Sequence, residues 1–337
     1  MSPTHSRGGE ARFIALATYL NIVVLALFPL ASPVLAGTLL ASRGSSVTGS
    51  EVIRFDPQQP IGNTNPSVLG TFAGVGHQGT LDISNHRFFL DAREFDGSRL
   101  LSIDTLKTVE NVTETGLATT NPAFSGYQWD AKTQSLLAVR FGKGITGSQV
   151  VKIDPNTFQA TTFVTFSETG PGNSALDPDG HFFTSLGGQL FVIDTTTAEV
   201  QQTGIRTSWH PCHEDPSPIQ FGFHWDNTTH TLLGMRAVFE CVAAPPAPVF
   251  PRFVGNELVR LNIASGQSVV LARIVEGGIG SSAFDAEGRQ LYVRIAGQLF
   301  VFNTMNGQVV RTGIPIGDWY AFQWEPGPPS SSSTVSN

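Results

Sequence analysis

Short runs of alternating apolar and polar residues recur along this chain, and six of them end in Asp or Asn. They are Val52-Ile53-Arg54-Phe55-Asp56, Leu100-Leu101-Ser102-Ile103-Asp104, Val150-Val151-Lys152-Ile153-Asp154, Leu190-Phe191-Val192-Ile193-Asp194, Leu258-Val259-Arg260-Leu261-Asn262 and Leu299-Phe300-Val301-Phe302-Asn303. A period of two predicts β-strands rather than helices. The terminal Asp/Asn residues are 48, 50, 40, 68 and 41 residues apart. A strand-based repeat of about 40–50 residues predicts a β-propeller with one blade per repeat.

The six units alternate between two kinds. Odd units carry an aromatic-x-Trp-acid sequence: Tyr127-Gln128-Trp129-Asp130, Phe223-His224-Trp225-Asp226 and Phe322-Gln323-Trp324-Glu325. A second strand follows the first two copies, ending at Arg140 and Arg236. The match for the third copy stands near the other end, as Leu39-Leu40-Ala41-Ser42-Arg43. The Trp324 strand is therefore predicted to be the innermost strand of the blade begun after Gly37, which removes an open sheet edge. Even units instead carry Thr80-Leu81-Asp82, Ala175-Leu176-Asp177 and Ala283-Phe284-Asp285, with turns such as Pro178-Asp179-Gly180. The expected fold is all-β: a six-bladed β-propeller over 37–326, built from four-stranded antiparallel blades. The ring is closed by N- and C-terminal strands sharing one blade, and the three blade pairs give approximate threefold symmetry.

Composition agrees with an all-β chain of many tight turns. Of 337 residues, 35 are Gly and 24 are Phe, and 14% are charged. Net charge is -7 without a Lys/Arg cluster, so no nucleic-acid partner is expected. Residues 1–36 are expected to be a signal peptide. Arg7 and Arg12 precede an apolar stretch from Phe13 to Leu30, and Val34-Leu35-Ala36 offers small residues for cleavage. The alternative is an uncleaved anchor, which Tyr19 and Asn21 weaken. The expectation is a secreted protein, extracellular or periplasmic, monomeric, with no stable membrane insertion after signal removal. The Pro/Gly/Ser-rich stretch 327–337 is expected to be a disordered tail.

In an exported chain, Cys212 and Cys241 are expected to pair and to pin the Pro-rich insertion Ala243–Pro251. That insertion lies in the longest excursion between second and third strands, Val238–Gly255, on the face where the chain enters the innermost strands. Asn111 and Asn227 begin glycosylation acceptor sequences. His210, His213, Glu214 and Asp215 form the densest polar cluster; they serve as metal ligands or acid and base, or form a solvated loop tied by a disulfide. His77, Gln78, Asn121, Asn173, Gln220, Asp318 and Tyr320 are expected at the mouths of the channel strands. There they bind a small ligand or ion, or else bond to water and neighbouring backbone. Arg43, Arg140 and Arg236 recur at second-strand ends, as an anion clamp or as scaffold. The recurring acids and tryptophans fit turn caps and packing between blades. No nucleophile elbow, zinc-protease helix or phosphate loop occurs.

The stretch Asn173-Ser174-Ala175-Leu176-Asp177-Pro178-Asp179-Gly180, followed by Leu190–Asp194, resembles repeats of gluconolactonase/strictosidine-synthase-like and NHL-type propellers. The resemblance covers the framework from Gly37 to Pro326 and implies six blades. In the metal-dependent hydrolases of that superfamily, an acidic residue and asparagines on channel strands hold a calcium-like ion. The resemblance would place Asn173 among such ligands, with Asp318 and Asn121 as companions. His77-Gln78-Gly79 and Gly280-Ser281-Ser282 stand where further ligands belong, a departure from that pattern. Two functions are therefore carried forward: a non-catalytic exported propeller binding a protein or glycan-like partner on its long-loop face, and a metal-dependent lactonase or esterase at the channel mouth.

Overall fold

The computed structural model describes residues 37–45, 49–59, 66–94, 97–107, 111–208, 217–242 and 250–327. Their strands form six four-stranded antiparallel sheets, and no helix occurs among them. The first blade contains β1 (Thr38–Ser45), β2 (Gly49–Phe55) and β3 (Ser67–Phe72). The second contains β4 (Val75–Asp82), β5 (Arg87–Arg93), β6 (Ser98–Asp104) and β7 (Val112–Ala118). The third contains β8 (Ala123–Asp130), β9 (Ser135–Phe141), β10 (Ser148–Ile153) and β11 (Ala160–Phe166). The fourth contains β12 (Ser174–Leu176), β13 (His181–Leu186), β14 (Gln189–Asp194) and β15 (Val200–Arg206). The fifth contains β16 (Phe221–Asp226), β17 (Thr231–Val242), β18 (Phe250–Leu261) and β19 (Ser268–Ile274). The sixth contains β20 (Ile279–Asp285), β21 (Gln290–Ile295), β22 (Gln298–Asn303) and β23 (Val309–Pro315). Finally, β24 (Trp319–Glu325) returns to pair antiparallel with β1, placing Leu39 opposite Trp324. The ring is closed as the two chain-end matches predict.

Six apolar cores lie between neighbouring blades. Leu39 and Ile53 pack with Tyr292 and Leu299 across the first–sixth interface, and Phe89 and Leu100 pack with Leu136 and Val151 across the second–third. Middle strands are thus covered on both faces, which is why their apolar residues come in adjacent pairs as well as alternating. Each odd-blade tryptophan stacks on an aromatic of the preceding even blade's second strand. Trp129 meets Phe89, Trp225 meets Phe183 and Trp324 meets Tyr292, with ring centroids 5.8, 4.8 and 5.1 Å apart. A Cβ on Gly37 would fall 2.1 Å from the Trp324 ring, so glycine is required where the chain crosses it.

The six terminal Asp/Asn residues cap turns. Asp154 Oδ1 accepts the N–H groups of Asn156 and Thr157, Asp194 Oδ1 those of Thr196 and Thr197, and Asn303 Oδ1 those of Met305 and Asn306. Asp56, Asp104 and Asn262 each accept one comparable N–H. Asp130 and Asp226 cap the hairpins after the Trp motifs in the same way. Glu325 differs from the turn-cap expectation. No hairpin follows it among the described residues, and its carboxylate instead takes Arg54 at 2.7 and 2.9 Å and Thr105 Oγ1 at 3.0 Å. The third acid therefore ties the closing strand to β2 and to the second blade.

The recurrent arginines are scaffold. Arg43 pairs with Glu51, Arg140 with Gln149 and Arg236 with Glu257, each across to the third strand of its own blade. The excursion expected over Val238–Gly255 is largely a hairpin rather than a loop. β17 and β18 run 12 residues each, and Val242 is opposite Phe250. The pairing of Ala237 with Asn256, Phe239 with Phe253 and Val242 with Phe250 carries both strands past the blade edge.

Candidate binding site at the channel mouth

The innermost strands β4, β8, β12, β16, β20 and β24 line a central cavity of about 400 Å³. All six run in one direction, so their first residues gather at one end. Phe221 starts β16 opposite Met235, and β17 continues beyond Met235 to Val242. The extended hairpin and the entry end of the channel consequently share a face.

A belt of hydrogen bonds joins the inner strands. Gln323 Nε2 donates to Gly79 O at 2.9 Å, and Gln128 Nε2 donates to Ser174 O at 3.0 Å. His224 Nε2 lies 2.8 Å from Ser282 Oγ. These three residues fill the variable position of the aromatic-x-Trp-acid motif, so each reaches the next even blade. In the reverse sense, Gly126 N–H donates to Gln78 Oε1 at 2.7 Å and Ala321 N–H to Ser281 Oγ at 2.9 Å. Asn173 Nδ2 donates to Gln220 O at 2.8 Å. The N–H donors at Gly126 and Ala321 reach those side chains because the inner strands bulge there, with φ of 63° and 54°. Much of the channel's polar capacity is thus spent on the ring itself.

Burial pushes the His224 pKa down to about 4, so the imidazole is neutral at physiological pH. His77 is also lowered, first by burial and then by the charge of Arg93. Its ring is stacked on Tyr320 with centroids 6.0 Å apart. Behind Tyr127, Asp91 is 1% exposed and accepts Thr119 Oγ1 at 2.5 Å. Burial raises the Asp91 pKa to about 6, against the opposing effects of Thr119 and Arg93.

Of the expected mouth residues, His77, Asn173 and Tyr320 line the cavity together with Gln78. Asn121 and Asp318 do not. Asn121 is exposed in the turn before β8, and Asp318 is exposed in the turn before β24. Gln220 is buried and its Oε1 accepts Ala237 N–H at 3.1 Å, fixing the base of the extended hairpin. His210, Cys212, His213, Glu214 and Asp215 lie outside the described residues, as do the signal segment 1–36 and the tail beyond 327. Cys241 is near the exposed end of β17, and no free cysteine occurs among the described residues. Asn227 is exposed at the β16–β17 turn. Asn111 is 3% exposed and its Nδ2 donates to Asp104 O and Lys107 O.

Sequence reasoning did not mark Gln128, Gln323 or Arg294 as channel residues. The first two were legible as the variable position of a repeated motif. Arg294 carried no such signal. The donor set does not fit calcium: no Asp or Glu lines the cavity among the described residues, whereas Arg294 does. A calcium ion takes six to eight oxygens, typically with carboxylates. No cluster of three or more His, Cys, Asp or Glu side chains suited to a metal occurs among the described residues. The calcium-like ligand set of Asn173, Asp318 and Asn121 is not assembled, because the last two do not line the cavity.

No family model matches this sequence, and no curated protein matches it. Solved structures do resemble it. TolB from Acinetobacter baumannii aligns with TM-score 0.59 and 11% identity, over 87% of this chain and 67% of that one. A chain of a nidogen/laminin complex aligns with TM-score 0.56 and 9% identity, over 86% of this chain and 98% of that one. A gluconolactonase from Xanthomonas campestris aligns with TM-score 0.47 and 15% identity, over 76% of this chain and 77% of that one. At such identities the likeness is one of architecture, and by its six closed four-stranded blades the chain is a six-bladed β-propeller of the repeat-framework kind.

Proposed function

We propose that this chain is an exported, non-catalytic propeller that binds a protein or glycan-like partner through the face bearing the β17–β18 hairpin. The observation that carries this reading is the hairpin itself. Its strands are 12 residues long, against six to eight in the matching hairpins β1–β2 and β9–β10. Its base is rigid: Glu257 is held between Arg236 and Arg273, and Gln220 accepts Ala237 N–H. Further out, Phe239 and Phe253 make an edge-on pair with centroids 5.5 Å apart. Phe253, Val254 and Val242 are exposed there. A firm stalk carrying exposed apolar groups suits partner binding. Pairing of Cys241 with Cys212 would brace the same element and fits an exported chain. The hydrolase reading is weaker, because no carboxylate lines the channel among the described residues and Arg294 does.

A photoreactive residue at position 253, compared with one at Val68 on the first blade's outer strand, tests the reading in the native host. A discrete adduct from 253 alone is expected, and Phe253→Asp should abolish partner retention on the purified chain. Identical adducts from both positions, or full retention by the variant, would sink it.

A further inference from the structure

Arg294 is the only Lys or Arg lining the channel among the described residues. It sits on β21 one position before Ile295, which is opposite Ile279. The corresponding positions on β5 and β13 hold Asp91 and Ser185. The cation is therefore a departure from the threefold pattern, not part of it.

Its placement is built by its neighbours. A Cβ on Gly280 would fall 2.3 Å from Arg294 Nε, so the missing side chain is what lets the guanidinium cross the inner strand. Its carbon lies 4.5 Å from the Tyr320 ring centroid, a cation–π contact. Nη1 donates to Gly317 O at 2.5 Å. None of these partners is anionic, and Nε is buried with no acceptor or counter-ion among the described residues. A fixed, partly desolvated guanidinium without a counter-ion is a strong attractor for a carboxylate.

The surroundings select the rest of the ligand. Phe221, at the start of the adjacent inner strand, is 39% exposed and lines the same cavity, while the Tyr320 ring lies against the guanidinium. His77, held below its ordinary pKa, adds a ring rather than a second charge near neutrality. On β16, Gly222 repeats the inner-strand bulge with φ of 58°. No side-chain acceptor comparable to Gln78 or Ser281 meets its N–H among the described residues, because Asn173 turns instead to Gln220 O.

We propose that the entry end of the channel binds an organic carboxylate carrying an aromatic or apolar group, with Arg294 as the charge partner and Phe221 and Tyr320 against the apolar part. One fixed cation matches a monoanion, and the cavity of about 400 Å³ suits a small molecule. The site does not depend on the hairpin and stands apart from the partner proposed above.

Calorimetric titration of the full chain with benzoate, benzamide and inorganic phosphate tests this at low ionic strength. Saturable one-site binding of benzoate is expected, with benzamide weaker by at least about tenfold and phosphate unable to compete. Arg294→Gln should weaken benzoate by a similar factor. Gly280→Ala, whose Cβ would displace the guanidinium, should do the same while Arg294 remains present. Phe253→Asp should bind benzoate like the unaltered chain, so the two proposals fail separately. Equal binding of benzoate and benzamide, absence of benzoate binding at millimolar concentration, or preference for phosphate overturns the proposal. Because that comparison uses the unaltered chain, a variant that fails to fold does not blunt it.

Discussion

Two buried titratable side chains near the channel act in opposite directions. Asp91 has a folded pKa of about 6, above its ordinary value. Between pH 4 and 6 the folded chain holds a proton that the unfolded chain has released, so this contribution to stability falls as pH rises and stays lost above about 6. Its size is on the order of 2–3 kcal/mol. His224 has a folded pKa of about 4, below its ordinary value. Its stability contribution is intact above about pH 6.5 and is lost as pH falls towards 4. In the unaltered chain the two trends oppose each other. Asp91→Asn should therefore melt higher at pH 7 and show stability rising with pH from 4 to 6.5. His224→Gln, which copies Gln128 and Gln323, should keep the bridge to Ser282 and show stability falling from pH 4 to 6. Thermal melts across that range, each referred to the unaltered chain, check both. Parallel profiles for all three proteins would contradict the assignment.

At the scale of elements, β24 and the β17–β18 hairpin make opposite predictions. β24 is bound by Arg54 and Thr105 through Glu325 and by Tyr292 through Trp324. Glu325→Gln should cost about 2 kcal/mol in urea unfolding, since Arg54 keeps a neutral acceptor but loses its carboxylate. Trp324→Ala should cost about 3–5 kcal/mol, because it empties the first–sixth interface as well. Phe253 is exposed on the hairpin's outer half, so Phe253→Asp should change stability by less than about 1 kcal/mol. Loss of stability comparable to Trp324→Ala would mean that the hairpin serves the fold rather than a partner. Reduction of the proposed Cys212–Cys241 bridge should lower stability by roughly 2–4 kcal/mol without changing the blade count.

For the whole molecule, the decisive feature is that each core belongs to two blades. Leu258 and Met235 of the fifth blade share one core with Leu291 and Phe300 of the sixth. No blade can bury its apolar faces alone, so the ring should unfold in one cooperative step. Removing residues 318–337 deletes β24 and leaves β1 unpaired on its inner side, and the truncated chain should aggregate rather than unfold reversibly. Light scattering and urea titration with two spectroscopic probes would separate these outcomes. A soluble, cooperatively folded truncation would show that the ring does not need closure.

The blade count, the alternation of blade types and the closure by β24 were all legible in the sequence, because each depends on local periodicity and on one repeat matched at both chain ends. The strand-end positions of Asp154 and Asp194 were legible for the same reason, and the structure adds their role as turn caps: each carboxylate meets N–H groups two and three residues away. The channel was only partly legible. His77, Asn173 and Tyr320 follow from strand register, but Asn121 and Asp318 are adjacent in sequence to channel strands and yet sit exposed in turns outside the cavity lining. The extension of β17 and β18 needed the pairing of Val238 with Gly255 and of Val242 with Phe250, since a Pro-rich insertion gives no comparable repeat. Arg294 is the clearest case of a property decided by tertiary structure. Its position in β21 is set by sequence alternation, but its entry into the channel depends on Gly280 in the neighbouring strand and Tyr320 in the next blade. Sequence thus determined the repeating framework, where the interacting groups are close along the chain. The tertiary structure alone decided which unlike side chains from different blades meet at the centre, because that depends on strands brought together by ring closure.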